Sequence, residues 1–213
     1  MLEAFAATIV GVALAQASPG PNMLAVAGIA LGQGRRAATW AVLGVSCAMF
    51  IWAAVVAVGL GAVTAAFPSL LVSMKLVGGA YLCWLALRAL RASLRGGVAA
   101  VSASDGRLSR AAAWRRGFFV VLTNPKAALM WAAVGTFLFG SGLTALQVAA
   151  FGPLAAVSAF VIYGSYGWAF STGVAARAYA RFARGVEAAL GVAFGALGAT
   201  LVWDGLRELR GAS

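Results

Sequence analysis

Fifty consecutive residues, 127–176, carry no charged side chain. A membrane-spanning helix needs about 20 predominantly apolar residues, so this stretch is long enough for two passes, with Gly140, Ser141, Gly142 and Thr144 supplying the turn between them. Residues 4–34 and 37–74 are equally free of charge. Across all 213 residues only 10 % are charged, against roughly 25 % in a soluble domain. Such a chain lacks the polar surface to dissolve itself. The gaps between charges predict an all-α polytopic membrane protein of six spans. The first occupies the apolar run to residue 34, the second about 38–66, the third about 69–90, and the last about 186–206. Phe67-Pro68-Ser69 separates the second from the third. The fourth and fifth share the apolar run on either side of residues 140–144. Residues 91–116, rich in arginine and holding Gly96 and Gly97, form the polar loop.

The formal net charge of +11 would suggest a nucleic-acid partner in a soluble chain, but here the basic residues flank apolar runs, where they set orientation. No nucleic acid is expected. Three loops on one face hold 12 of the 16 basic residues: Arg35 and Arg36; seven arginines from Arg88 to Arg116; and Arg177, Arg181 and Arg184. By the positive-inside rule that face is cytoplasmic and both termini face outward. The N-terminal stretch opens with Glu3 and has no Lys or Arg before Arg35, unlike a signal peptide, and reads as the first half of a retained span. There is no histidine, and Cys47 and Cys83 both sit in apolar segments. Cys/His zinc sites, histidine bases and a disulfide framework are thereby excluded, and no cofactor is expected.

The third and sixth spans end alike. Trp84-Leu85-Ala86-Leu87-Arg88-Ala89-Leu90-Arg91 and Trp203-Asp204-Gly205-Leu206-Arg207-Glu208-Leu209-Arg210 match at five of eight positions, at an offset of 119. Each half also carries a proline-broken apolar segment: Ser18-Pro19-Gly20-Pro21-Asn22 in the first, Thr123-Asn124-Pro125-Lys126 in the second. Three spans per half is an odd number, so the halves must lie antiparallel, the inverted-repeat plan of secondary transporters. The other reading of the Trp/Leu/Arg match is coincidence between similar helix ends. The plan predicts one transmembrane transporter domain over residues 1–213: repeat 1 about 1–95, a cytoplasmic loop about 91–116, and repeat 2 about 117–213.

Proline inside a helix removes a backbone hydrogen bond and clashes with a preceding carbonyl. In hydrocarbon the freed groups need partners, so broken backbone survives only against protein or a watery cavity. Helices 1 and 4 are therefore expected to be interrupted. Half-helices starting near Asn22 and Lys126 would expose unsatisfied N–H groups at the positive end of the helix dipole, which attract an anion such as a carboxylate. Lys126 lies ten residues past Arg116, about 15 Å along a helix, near the bilayer midplane. Laying Pro21 on Pro125 makes Asn22 its counterpart. Pro19, Gly20, Pro21, Asn22, Asn124, Pro125 and Lys126 are the candidate binding residues for a small zwitterion or anion. The alternative has Lys126 snorkelling to the cytoplasmic surface and the prolines only bending their helices.

The opening Ser18-Pro19-Gly20-Pro21-Asn22, followed by a half-helix and Gly34-Arg35-Arg36, closely resembles the first motif of the lysine-exporter superfamily, in its homoserine/threonine-exporter branch. Thr123-Asn124-Pro125-Lys126-Ala127 resembles the family's second motif, and Lys75-Leu76-Val77-Gly78-Gly79-Ala80-Tyr81-Leu82 its third-span pattern. The resemblance spans the whole chain. It implies a bacterial inner-membrane exporter of amino acids, driven by an ion gradient through antiport. Asn22, where the cationic branch tends to carry Gln, implies neutral, hydroxylated or branched substrates of the homoserine, threonine or leucine type. The alternative is an efflux carrier for another small solute or ion of the same superfamily. Ala48 departs from the family pattern, which has a second glycine after Gly44.

Other residues bear more than one reading. Lys75 is expected either to pair with Asp204, a candidate coupling or gating pair, or to snorkel to the outer headgroups. Proton coupling could run through Asp204, Glu187, the substrate's own carboxylate, or not at all. Gly28-xxx-Gly32 and Gly191-xxx-Gly195 with Gly198 offer small-residue faces, for internal packing or for a homodimer. Trp40, Trp114 and Trp203 read as interfacial belt residues; Trp131, Tyr163 and Trp168 read as packing or as pocket lining. Metal efflux lacks ligands, and an intramembrane enzyme lacks a nucleophile–base pair. The expected partners are an amino-acid substrate and membrane lipid.

Overall fold

Prolines and glycines punctuate a chain that is otherwise helical. The computed structural model describes residues 1–62, 70–95, 103–104, 106–172 and 174–211. Its helices are α1 (Leu2–Ala17), α2 (Pro21–Val55), α3 (Leu70–Arg95), α4 (Arg110–Leu122), α5 (Pro125–Gly140), α6 (Ala145–Phe170) and α7 (Val174–Gly211). A π-helical turn, Val56–Leu60, prolongs α2. Strands are absent among the described residues. The expected turn at Phe67-Pro68-Ser69 and residues 96–102 and 105 of the arginine-rich loop lie outside the described residues.

Local chemistry accounts for the boundaries. Ser109 accepts from the Ala112 N–H at the start of α4, and Thr144 with Gln147 forms a capping box at the start of α6, the arrangement that satisfies orphan N–H groups. Gly142, at φ 79°, turns the chain between α5 and α6 where the sequence predicts a turn. Pro21 and Pro125 sit at the first position of their helices, where the missing N–H costs nothing.

Among the described residues, three helical stretches can cross a membrane by length and composition: Pro21–Leu60, Ala145–Phe170 and Glu187–Arg210. The pair Arg110–Leu122 and Lys126–Gly140, bent by 58° at its break, makes a fourth. This count is lower than the six expected, and part of the reason is Gly34. The 40 residues of Pro21–Leu60 would reach about 60 Å if straight, twice the roughly 30 Å hydrocarbon core. Gly34 breaks that path with φ 79° and ψ −178°, a conformation costly for any residue with a Cβ. The two helical segments that meet at Gly34 thus hold the end of the expected first span and the described part of the second, with Arg35 and Arg36 at the kink. Leu2–Ala17, at 16 residues, is too short alone. The final helix begins well before residue 186, although its apolar portion starts at Glu187.

Small residues let the helices approach closely. A Cβ on Gly198 would lie 2.8 Å from the Cys83 backbone, and one on Gly79 would lie 2.9 Å from the Gly198 carbonyl. Gly191 faces Leu90 and Gly205 faces Leu76. Residue numbers on α3 rise as those on α7 fall, so the two run antiparallel. The Gly191, Gly195 and Gly198 face serves internal packing against α3. Gly28 and Gly32 meet Ser104: its N–H donates to the Gly28 carbonyl at 3.0 Å, and its backbone covers Gly32. On α2, Gly44 packs on the Trp114 carbonyl of α4, and Gly117 of α4 packs on that of Ala41. Ala48, one turn beyond Gly44, is fully buried. Further along, α2 runs antiparallel to α6: Arg35 bonds Ser171, while Phe50 and Ala53 face Gly152. Trp131, Phe151 and Leu138 anchor the apolar core.

Candidate functional site

Both broken segments come to one place. α1 stops at Ala17 and α2 starts at Pro21, with Gly20 extended between them; α4 stops at Leu122 and α5 starts at Pro125. Asn124 caps α5, its Oδ1 accepting from the Lys126 N–H at 3.0 Å. The other end of the same amide donates to Asn22 Oδ1 at 2.9 Å, and Asn22 in turn donates to the Tyr163 hydroxyl at 3.4 Å. A polar chain therefore runs from α6 through the first break to the second. No side chain caps the N-terminus of α2, which leaves its positive end toward the cavity described below.

The end of α1 is tied to α6. Tyr166 donates its hydroxyl to the Ala17 carbonyl at 2.7 Å. Gln16 donates to the Ala155 carbonyl at 3.2 Å and accepts from Ser158 at 2.8 Å. Gln16, Ser18, Asn22 and Asn124 are all buried, a concentration of polar groups that hydrocarbon would penalise without these bonds.

Lys126 reaches across rather than outward. A Cβ on Gly20 would lie 3.6 Å from its Nζ, and the ammonium sits 5.9 Å from the centroid of the Phe194 ring, within cation–π range. Ser18, Gly20, Asn124 and Lys126 border two cavities. The larger, about 350 Å³, is walled by Pro19, Pro21, Tyr81, Trp84, Leu85, Leu129 and Phe194 and also holds Arg88 and Glu187. The smaller, about 20 Å³, reaches Gln16, Asn22 and Tyr163 and has room for one water. A third, apolar cavity of about 160 Å³ lies between α1, α3, α5 and α7, with Asp204 and Thr200 on its border. Phe194, 2 % exposed, borders both it and the 350 Å³ cavity.

Thus six of the seven candidate binding residues, Pro19, Gly20, Pro21, Asn22, Asn124 and Lys126, are gathered around one site. Pro125 opens α5 beside them. Lys75 and Asp204 stand apart. Lys75 pairs with Glu208 and not with Asp204, one of the two expected readings; Glu208 is one helical turn further along the same face of α7. Among the aromatics, Tyr163 lines the site, Trp131 packs in the core 6.3 Å from Phe151, and Trp168 is exposed beneath the Arg35 guanidinium.

A family model described as LysE type translocator matches residues 13–205. The chain belongs to the LysE type translocator family. It is a transporter, not an enzyme. Among curated relatives, the translocator is 28 % identical over 189 residues to a threonine efflux protein of Salmonella typhi, covering 87 % of this chain and 90 % of that one. It is 26 % identical over 192 residues to a threonine efflux protein of Escherichia coli K12, with the same coverage of each. An uncharacterized membrane protein of Haemophilus influenzae is 24 % identical over 196 residues, covering 90 % of the translocator and 92 % of its own length. No solved structure matches the translocator.

Gln16, Arg88 and Tyr166 were not among the sequence candidates, and Glu187 was one only for proton coupling. Glu187 carried a signal, as one of few carboxylates near a span. Tyr166 and Gln16 carried none, since their partners lie on distant helices.

Proposed function

We propose that the translocator is a secondary-active exporter of small neutral amino acids, of the threonine, homoserine or leucine type, in a bacterial inner membrane. The observation that carries this reading is the meeting of two helix breaks, Asn22 bonded to Asn124 and Lys126 against Gly20, beside a 350 Å³ cavity. Sites for small molecules start at about 300 Å³. A carboxylate placed there meets the Lys126 ammonium and the uncapped end of α2. The cavity also holds Arg88, so a substrate with a cationic side chain is repelled, which favours neutral substrates. The threonine efflux relatives point the same way.

The transport architecture in this reading is one domain of six spans in two inverted repeats, about 1–95 and about 117–213, joined by a cytoplasmic loop, with both termini periplasmic. Support comes from the pairing of counterparts: the two breaks bond each other, α2 lies antiparallel to α6, and α3 antiparallel to α7. Phe194 is the barrier between the cavity at the arginine-rich end and the apolar cavity beyond it. Lys75 and Asp204 belong to gating at the outer end rather than to binding, and transport is antiport against an ion gradient. The test is export from cells loaded by dipeptide feeding. A strain expressing the protein should clear threonine, homoserine or leucine faster than a strain without it, and equal clearance of all three would overturn the reading.

A further inference from the structure

We infer that Glu187 is the second pole of the binding cavity, accepting the α-ammonium of the substrate whose carboxylate Lys126 holds. The inference rests on the amino-acid reading above and adds a residue to it. Among the described residues, three formally charged side chains border the 350 Å³ cavity: Lys126, Arg88 and Glu187. They come from three helices, α5, α3 and α7. Arg88 has its guanidinium 4.9 Å over the Trp84 ring, a stacking partner that holds it at the wall. Glu187 is partly buried and, among the described residues, has no hydrogen bond or ion pair. A carboxylate with no direct ion pair at the start of an apolar helical stretch, eased only by the fields of Lys126 and Arg88, is costly. It is compensated when a cation arrives.

The geometry separates the charges of an amino acid. Lys126 lies at the break side of the cavity, against Gly20. Glu187 lies on α7, one helical turn before Gly191, which packs on Leu90 of α3. A zwitterion between them satisfies both, while Tyr81, Leu85 and Leu129 face its side chain. A 2-hydroxy acid keeps the carboxylate and the side chain but offers Glu187 no cation. The cavity should therefore discriminate α-amino acids from 2-hydroxy acids.

The experiment measures equilibrium binding to the full-length protein in phospholipid nanodiscs. The probes are L-threonine, L-homoserine and L-leucine, each beside the 2-hydroxy acid with the same side chain. The parent should prefer the amino acid. Losing a charge-assisted hydrogen bond weakens binding roughly ten- to a hundred-fold, so Glu187→Gln should weaken amino-acid binding by that factor and leave hydroxy-acid binding unchanged. Glu187→Asp should recover part of the preference, and Lys126→Met should weaken both ligands alike. If Glu187→Gln weakens both ligands equally, its role is structural and the inference falls. If it weakens neither, the inference falls while the exporter reading stands. A parent protein that binds none of the six probes overturns both.

Discussion

The Asn124 side-chain amide donates to the Asn22 carboxamide oxygen at 2.9 Å, tying together two helix breaks 102 residues apart. The same Asn124 caps α5 through its own oxygen. Each end of one amide thus serves a different break, and the bond fixes the geometry of the cavity beside it.

Asn124→Ala should therefore lose twice. Removing an N-cap costs about 1 kcal/mol, and stranding the buried Asn22 oxygen about 1–3 kcal/mol more. Thermal unfolding in detergent should show a clear drop in midpoint. Asn124→Asp keeps the cap acceptor and should fall less. Equal midpoints for parent and Asn124→Ala would rule out the tie.

Tyr166→Phe removes the donor to the Ala17 carbonyl, one of the groups that the first break frees. An unsatisfied buried acceptor costs about 1–3 kcal/mol, so the variant should unfold at a lower temperature with its cavity intact. A stabilised or unchanged protein would show that water replaces the tyrosine.

Glycine substitutions should divide by contact. Gly117→Ala drives a methyl into the Ala41 carbonyl, so α2 and α4 must separate and folded yield should collapse. Gly164→Ala meets nothing within 4 Å in a regular helix and should stabilise by up to about 1 kcal/mol. Similar yields for both would contradict the packing described for α2 and α4.

Lys75 and Glu208 form a pair that is only partly shielded, worth no more than about 1 kcal/mol. Lys75→Met and Glu208→Gln should slow export by similar factors, and the double variant by no more than either. Additive losses would show that the two act separately.

Much of this was legible in the residues. Pro19-Gly20-Pro21 and Asn124-Pro125 mark the breaks because proline forbids a continuous hydrogen-bond ladder, and the helix boundaries follow them. The pairing partner of Lys75 was misplaced by one turn, since spacing gives a helix face but not the height of its neighbour. Gly34 hid the span count: its positive φ kinks a helix that the arginines beside it suggested was a loop. Tyr166 and Gln16 take part through the packing of α6 against α1, which no local pattern specifies.

Export by Lys126→Met tests the central claim most directly. Methionine keeps the bulk of the side chain but lacks the charge. Removing a buried charge that no direct ion pair holds relieves an insertion cost, so the variant should reach the membrane at the parental level. If the Lys126 ammonium holds the substrate carboxylate, affinity should fall roughly ten- to a hundred-fold, and threonine, homoserine and leucine should accumulate in dipeptide-fed cells as they do without the protein. A Lys126→Met protein present at the parental level and exporting at the parental rate would contradict the account.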